Sequence, residues 1–242
     1  MSFKNFICGF IFTSLFMVPL LSAAELQTLR IEAGADNTLY QDPEGDVSNG
    51  AGAFMLAGRL NAPENSIRRL LLYFDVAGQL PHGAIVEQAS LSLYLERGNG
   101  GVRVLRLHQL VSDWGEGASA VTGGGQGAPA QPGDATWQHT FYPDALWGRD
   151  GGRYVGRVSA SQAVGDPVVD EIDAPGIYTW SSTDRMVDDV RRWQHHPEKN
   201  FGWILIGDET VPQTVKRFSS REHVDPDLRP ILELHYSWVG PR

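Results

Sequence analysis

The chain predicts an all-β fold, a jelly-roll β-sandwich carrying one short α-helix. Three observations predict it. Short apolar runs with period-two alternation recur from Leu26 to Tyr236, the signature of half-buried strands. Gly, Pro, Asp and Asn punctuate those runs at turn spacing. Only one stretch carries apolar residues at helical spacing. No internal repeat of about 20–50 residues is visible, and no linker divides the chain, so residues 25–242 read as a single domain.

The N-terminus stands apart from that domain. Lys4 supplies a positive start, Phe6 to Leu21 is an apolar run, and Ser22-Ala23-Ala24 offers small residues to a signal peptidase. Residues 1–24 therefore read as a secretory signal peptide cleaved before Glu25. The run is short against the roughly 20 apolar residues of a membrane span, and no later segment is apolar enough for one. Cys8 leaves with the signal. The mature chain then has no cysteine and rests on its hydrophobic core instead of disulfides. The expected location is bacterial, either periplasmic or extracellular. Formal charge is −9, and loss of Lys4 makes it −9 − 1 = −10. Nucleic acid wants a basic footprint, so it is not an expected partner.

Taken in order, Leu26 to Ala33 and Asp36 to Gln41 are strands parted by Gly34. Turn residues from Asp42 to Gly50 lead to a strand at Phe54 to Arg59. In Ile67 to Val76, Leu70, Leu72 and Phe74 share one face and Leu71 and Tyr73 the other, as in an inner strand covered on both sides. After Pro81-His82-Gly83, Ala89 to Glu96 alternates with Leu91, Leu93 and Leu95 on one face. Val102 to Val111 follows. Tyr154 to Ser159, Val168 to Ile172 and Ile177 to Trp180 are the later strands before the helix. The helix is capped by Ser182 or Thr183 and places Met186, Val187, Val190 and Trp193 inward, with Asp188, Asp189, Arg191 and Arg192 outward. Gly202 to Asp208, Val215 to Ser220 and Ile231 to Tyr236 close the chain.

Between the strands ending at Val111 and beginning at Tyr154 lies a long excursion holding three of the seven tryptophans. A loop of that length is functional or disordered. Trp114, Glu116 and Trp137 are expected to plug the end of the sandwich, each tryptophan with one polar partner. Gly123 to Pro132 reads as a flexible spacer. Trp147 and Tyr154 flank a glycine-rich, arginine-bearing turn and are expected to be exposed.

The ordered motifs resemble the secreted β-sandwich modules called DNRLRE domains, which are related to carbohydrate-binding modules and to disaggregatase repeats. The matching pieces span most of the mature chain. They include Ala35-Asp36-Asn37-Thr38, Arg69 to Asp75, Ala89 to Tyr94, Trp114-Gly115-Glu116-Gly117, Asn200-Phe201-Gly202-Trp203, Phe218 to Glu222 and Arg229 to Tyr236. The resemblance implies a jelly roll and a non-catalytic module of the cell surface or extracellular polysaccharide, some relatives of which bind acidic glycans. The acidic net charge departs from that picture unless a local basic patch such as Arg149, Arg153 and Arg157 supplies the contact.

On this reading the partner is a polysaccharide or cell-surface glycan, and Trp147, Arg149, Arg153 and Tyr154 form the carbohydrate-binding set. Trp114, Glu116, Trp137, Arg221 and Glu222 are structural, the last two as an ion pair. A serine active centre is disfavoured at Ser219-Ser220-Arg221-Glu222-His223, because neighbours on a strand point to opposite faces. No catalytic residue is assigned. The competing readings are a polysaccharide lyase or hydrolase using Glu116 and Glu222 across a cleft, and a purely structural adhesion subunit. No cofactor is required by any motif. The metal candidate is an irregular Ca2+ site at Asp36, Asp42, Asp46 and Asn49, against the alternative that these residues shape turns. His195-His196 lacks the i, i+4 spacing of a zinc pair, and Gly123 to Gly127 lacks the Lys-Ser/Thr of a phosphate loop.

Overall fold

The computed structural model describes residues 26–167 and 172–239. The expected signal peptide, and the strand expected over Val168 to Ile172 apart from Ile172 itself, lie outside the described residues. The strands are β1 (Gln27–Glu32), β2 (Ala35–Tyr40), β3 (Val47–Ser48), β4 (Phe54–Arg59), β5 (Ile67–Tyr73), β6 (Ile85–Gly98), β7 (Arg103–Leu110), β8 (Ala128–Pro129), β9 (His139–Phe141), β10 (Ala145–Leu146), β11 (Tyr154–Val164), β12 (Gly176–Trp180), β13 (Trp203–Ile206), β14 (Lys216–Ser219) and β15 (Ile231–Ser237). The helices are α1 (Val76–Gln79) and α2 (Asp184–His195). The expected all-β sandwich is what the chain forms.

One sheet is built on β6. Along one edge it pairs with β15 at Ile85–Ser92 and with β14 at Leu95–Gly98; β1 lies beyond β15 and β4 beyond β14. Its other edge pairs with β12. The second sheet runs β2-β5-β13-β7-β11, all antiparallel. The chain passes from one sheet to the other between β1 and β2, and again inside β4, whose Gly58 and Arg59 pair with β5. Gly58 makes that second crossing feasible. Its φ is 116°, and a Cβ there would lie 2.8 Å from the Thr214 carbonyl oxygen.

The core between the sheets takes Leu70 and Leu72 from β5, Leu91, Leu93 and Leu95 from β6, Leu105 and Leu107 from β7, and Phe218, Leu232 and Leu234 from the later strands. α2 closes it with Met186, Val190 and Trp193, the last stacked edge-on 4.4 Å from Trp203. Thr183 is the residue that caps α2, accepting the Met186 N–H at 3.0 Å. The one helix expected is joined by α1, a single turn capped by Asp75 and too short to leave a periodic pattern.

One outward assignment on α2 is overturned. Asp189 is buried and accepts from Ser159 Oγ at 2.5 Å and Trp203 Nε1 at 3.1 Å, tying the helix to β11 and β13. Helical periodicity placed it on the rim of the polar face, and the two donors drew it inward. Burial holds its carboxyl above the ordinary value of 3.8, outweighing those hydrogen bonds. A carboxyl raised in the folded state stabilises fully below the unfolded value and loses that contribution as pH rises through the folded one. Denaturation of wild type and Asp189→Asn between about pH 3 and pH 7 is therefore expected to show the wild type losing stability relative to the variant as pH rises. A pH-independent difference would contradict it.

Candidate functional site

Strand alternation on the second sheet decides where the long excursion sits. Leu70 and Leu72 face the core, so Leu71 between them faces outward. Leu39, Leu71, Leu110 and Ile204 make an outer apolar patch, and Trp114, Ala135, Trp137 and Trp147 cover it. The expected end plug is thus a lid on one sheet face. Trp114 Nε1 donates to Phe201 O at 2.9 Å, and the Trp137 ring lies under the Arg69 guanidinium at 4.9 Å.

Trp147 is a correction. It is only 2% exposed, and its Nε1 donates to Thr136 O at 2.9 Å. The glycines around it let the backbone fold the ring down onto the patch instead of presenting it to solvent. Trp147→Ala should cost about 3–5 kcal/mol of stability, read by urea denaturation; a loss well under 1 kcal/mol would show the lid does not stabilise the sheet. The spacer also differs from expectation. Ala128 and Pro129 pair with Ser48 and Val47, and Gly125 O accepts Arg68 Nε at 2.8 Å, so it is docked at these points.

Next to the lid, the sheet face stays open and carries positive charge. Tyr154 is half-buried, its ring 5.1 Å from His108 and 5.8 Å from the Arg149 guanidinium. Arg69, in a bidentate pair with Glu209 at 2.6 and 2.9 Å, reaches the same ring at 5.9 Å. Arg106, Arg149, Arg153 and Arg157 are exposed, and none has an ion-pair partner among the described residues; Asp150 is the exposed acid beside them. Burial holds His108 below its ordinary value of 6.5, reinforced by Arg106 and Arg69. Its neutral ring donates from Nδ1 to Val155 O at 3.0 Å. Of the expected carbohydrate set, Arg149 and Tyr154 therefore border one open strip, Arg153 is exposed next to Tyr154 along the chain, and Trp147 does not reach the strip. Arg106 and His108 join it, and their alternation on β7 was the available signal.

The four expected metal ligands do not converge. Asp42 Oδ2 accepts the Asp46 N–H at 3.1 Å, which is turn chemistry. Asn49 spends its amide on Phe54 O at 2.9 Å and the Val121 N–H at 2.7 Å. Asp36 points elsewhere, because β2 carries it to the end of the sheet where β14 terminates. There it meets Glu116 and Glu222, with one carboxylate oxygen of each within 4.8 Å of the others. Among the described residues this acidic triad could hold a metal ion.

One arginine knits the triad. Arg221 N–H donates to Asp36 Oδ2 at 2.7 Å, and its Nη1 reaches Glu116 Oε2 at 3.0 Å and Glu222 Oε1 at 2.8 Å. The Asp36 N–H donates to Glu116 Oε1 at 2.9 Å. Burial pushes the Asp36 carboxyl well above its ordinary range, the Arg221 amide opposes this, and Glu222 and Glu116 add to it. Glu116 is raised as well, first by burial. The expected Arg221–Glu222 pair is present but is part of this larger cluster. Ser219 Oγ donates to Glu96 Oε1 and Ser220 Oγ to Gly52 O, while His223 Nδ1 sits by Asp225.

Sequence reasoning passed over Asn37, the neighbour that steadies this end. It is fully buried, and its amide donates to Ser48 Oγ, Glu116 O and Ala135 O while accepting from the Thr38 and Asn49 N–H groups. Gly50 is needed beside it, since a Cβ there would fall 1.6 Å from Glu116 O. A comparison with protein-family models finds no match, and a comparison with curated proteins finds none either.

Proposed function

We propose that the protein is an exported bacterial β-sandwich module without catalytic activity that holds an anionic polysaccharide along the open strip of the second sheet. The observation that carries this is the exposed Arg149 guanidinium 5.8 Å from the half-buried Tyr154 ring, together with exposed Arg106, Arg153 and Arg157, none of the four having an ion pair among the described residues. Unpaired guanidinium groups bind carboxylates or sulfates in bidentate fashion. An aromatic face between them offers a sugar ring an apolar contact. The strip is a local exception to a net charge of −9, so it selects anionic ligands that the rest of the surface repels. Glu116 and Glu222 share one guanidinium and do not face each other across a cleft, which favours binding over hydrolysis.

Calorimetry with a polyuronate and with a neutral glucan tests the reading. The polyuronate is expected to bind, more weakly at high salt, and the neutral glucan is not. The triple variant Arg149→Ala/Arg153→Ala/Arg157→Ala should lose at least about tenfold in affinity, with unchanged melting. Tyr154→Ala should weaken binding while leaving the fold intact, opposite to Trp147→Ala. Failure of the wild type to bind any charged glycan would leave the structural adhesion reading in its place.

A further inference from the structure

We propose that Asp36, Glu116 and Glu222 bind one Ca2+ ion that locks the start of the excursion and the segment after β14 onto β2. The first support is a pair of orphaned atoms. Asp36 Oδ1 and Glu222 Oε2 are both buried and have no hydrogen-bond partner. Asp36 is itself 0% exposed, so bulk solvent does not reach the free oxygen. Leaving a buried carboxylate oxygen unsatisfied is costly, and such groups are ordinarily paired or coordinated to metal. The second support is charge balance. With all three carboxylates ionised against one guanidinium the cluster would carry an excess of two negative charges, which one divalent cation matches.

The donor set selects among cations. It is all oxygen and comes from three separated segments with irregular geometry. Ca2+ accepts six to eight oxygens in flexible arrangements, whereas Mg2+ holds to a tight octahedron and sheds its waters reluctantly. The Glu116 and Glu222 side chains are 22% and 24% exposed, so the open side of the cluster lets water complete the shell. Asp36 Oδ2, Glu116 Oε1 and Glu116 Oε2 are already held by Arg221 and by the Asp36 amide. The carboxylates are therefore preorganised before the ion arrives. A site of this kind has an affinity in the range of extracellular modules, about 10⁻⁴–10⁻³ M, and fills only where calcium is plentiful. It is separate from the arginine strip, and neither proposal depends on the other.

The test uses the mature chain, stripped with chelator and then titrated with CaCl2 alone. Isothermal calorimetry should give one ion per chain, and Tm should rise by about 5–11 °C at calcium about a hundredfold above Kd. Glu222→Gln, a change at a part-exposed side chain, should fold and lose most of that rise; Asp36→Asn, if it folds, should lose all of it. Mg2+ at the same concentration should give a much smaller shift. The proposal is overturned if the wild type shows no calcium-dependent change. It is equally overturned if Glu222→Gln keeps the full calcium response, or if Mg2+ matches Ca2+.

Discussion

Asp173→Ala is expected to lower the unfolding free energy by about 3–5 kcal/mol. Asp173 and Lys216 are both fully buried and form an ion pair at the end of the β6 sheet. Lys216 Nζ also donates to Asn99 O at 2.9 Å and Gly101 O at 2.7 Å, so its three donors are all spent. Removing the carboxylate strands an ammonium in a site whose burial already pushes its pKa down. The cost is that of an uncompensated buried charge, larger than the net value of the pair itself. The double variant Asp173→Leu/Lys216→Met should therefore recover much of the loss. Urea denaturation of the single and double variants reads both numbers. A single variant within about 1 kcal/mol of wild type, or a double variant worse than the single, would show that the pair is not the pin of this sheet end.

The second large effect belongs to Asn37. Asn37→Ala leaves the Thr38 and Asn49 N–H groups and the Glu116 carbonyl without their buried partner, and takes one of two donors from the Ala135 carbonyl. Each such group costs about 1–3 kcal/mol when unsatisfied, and relaxation recovers part of the sum. A loss of about 3 kcal/mol or more is expected. The loss should also be local in character. Asn37 ties β2 to two points of the excursion, so residues 117–134 should become open to limited proteolysis before the sandwich unfolds. Protection of that segment equal to wild type would locate the role of Asn37 elsewhere. Asn37→Asp is expected to be no rescue, because it turns two donors toward carbonyls into a buried charge.

These effects show where legibility in the sequence stops. The strands of the core were readable because their signal is periodic and local. Ala89 to Glu96 alternates, and Leu91, Leu93 and Leu95 do face the core. Leu71 was readable as belonging to a second apolar face, but what covered that face was not. Trp114, Trp137 and Trp147 lie many residues away, and no pattern within the excursion says which face of which strand receives them. The same limit applied to charge. Arg221 and Glu222 are neighbours in sequence and were paired correctly, whereas Asp36 and Glu116 join them across 185 and 105 positions. Asp36 was grouped with Asp42 and Asp46 because they are close along the chain, but a strand separates them in space.

The sequence by itself determined the class of fold and the position of α2, narrowed its cap to Ser182 or Thr183, and marked the apolar faces of the core strands, since each follows from residue spacing and capping chemistry. Only the tertiary structure decided that the tryptophan-rich excursion is a lid instead of a platform. The reason is that a tryptophan satisfies burial or exposure equally well until a matching apolar surface appears. Leu39, Leu71 and Ile204 supply that surface only when β2, β5 and β13 lie side by side. The acidic triad has the same origin. Three carboxylates become a site when chain crossings bring them within one ion's reach, and the spacing of Asp36, Glu116 and Glu222 along the chain carries no trace of that meeting.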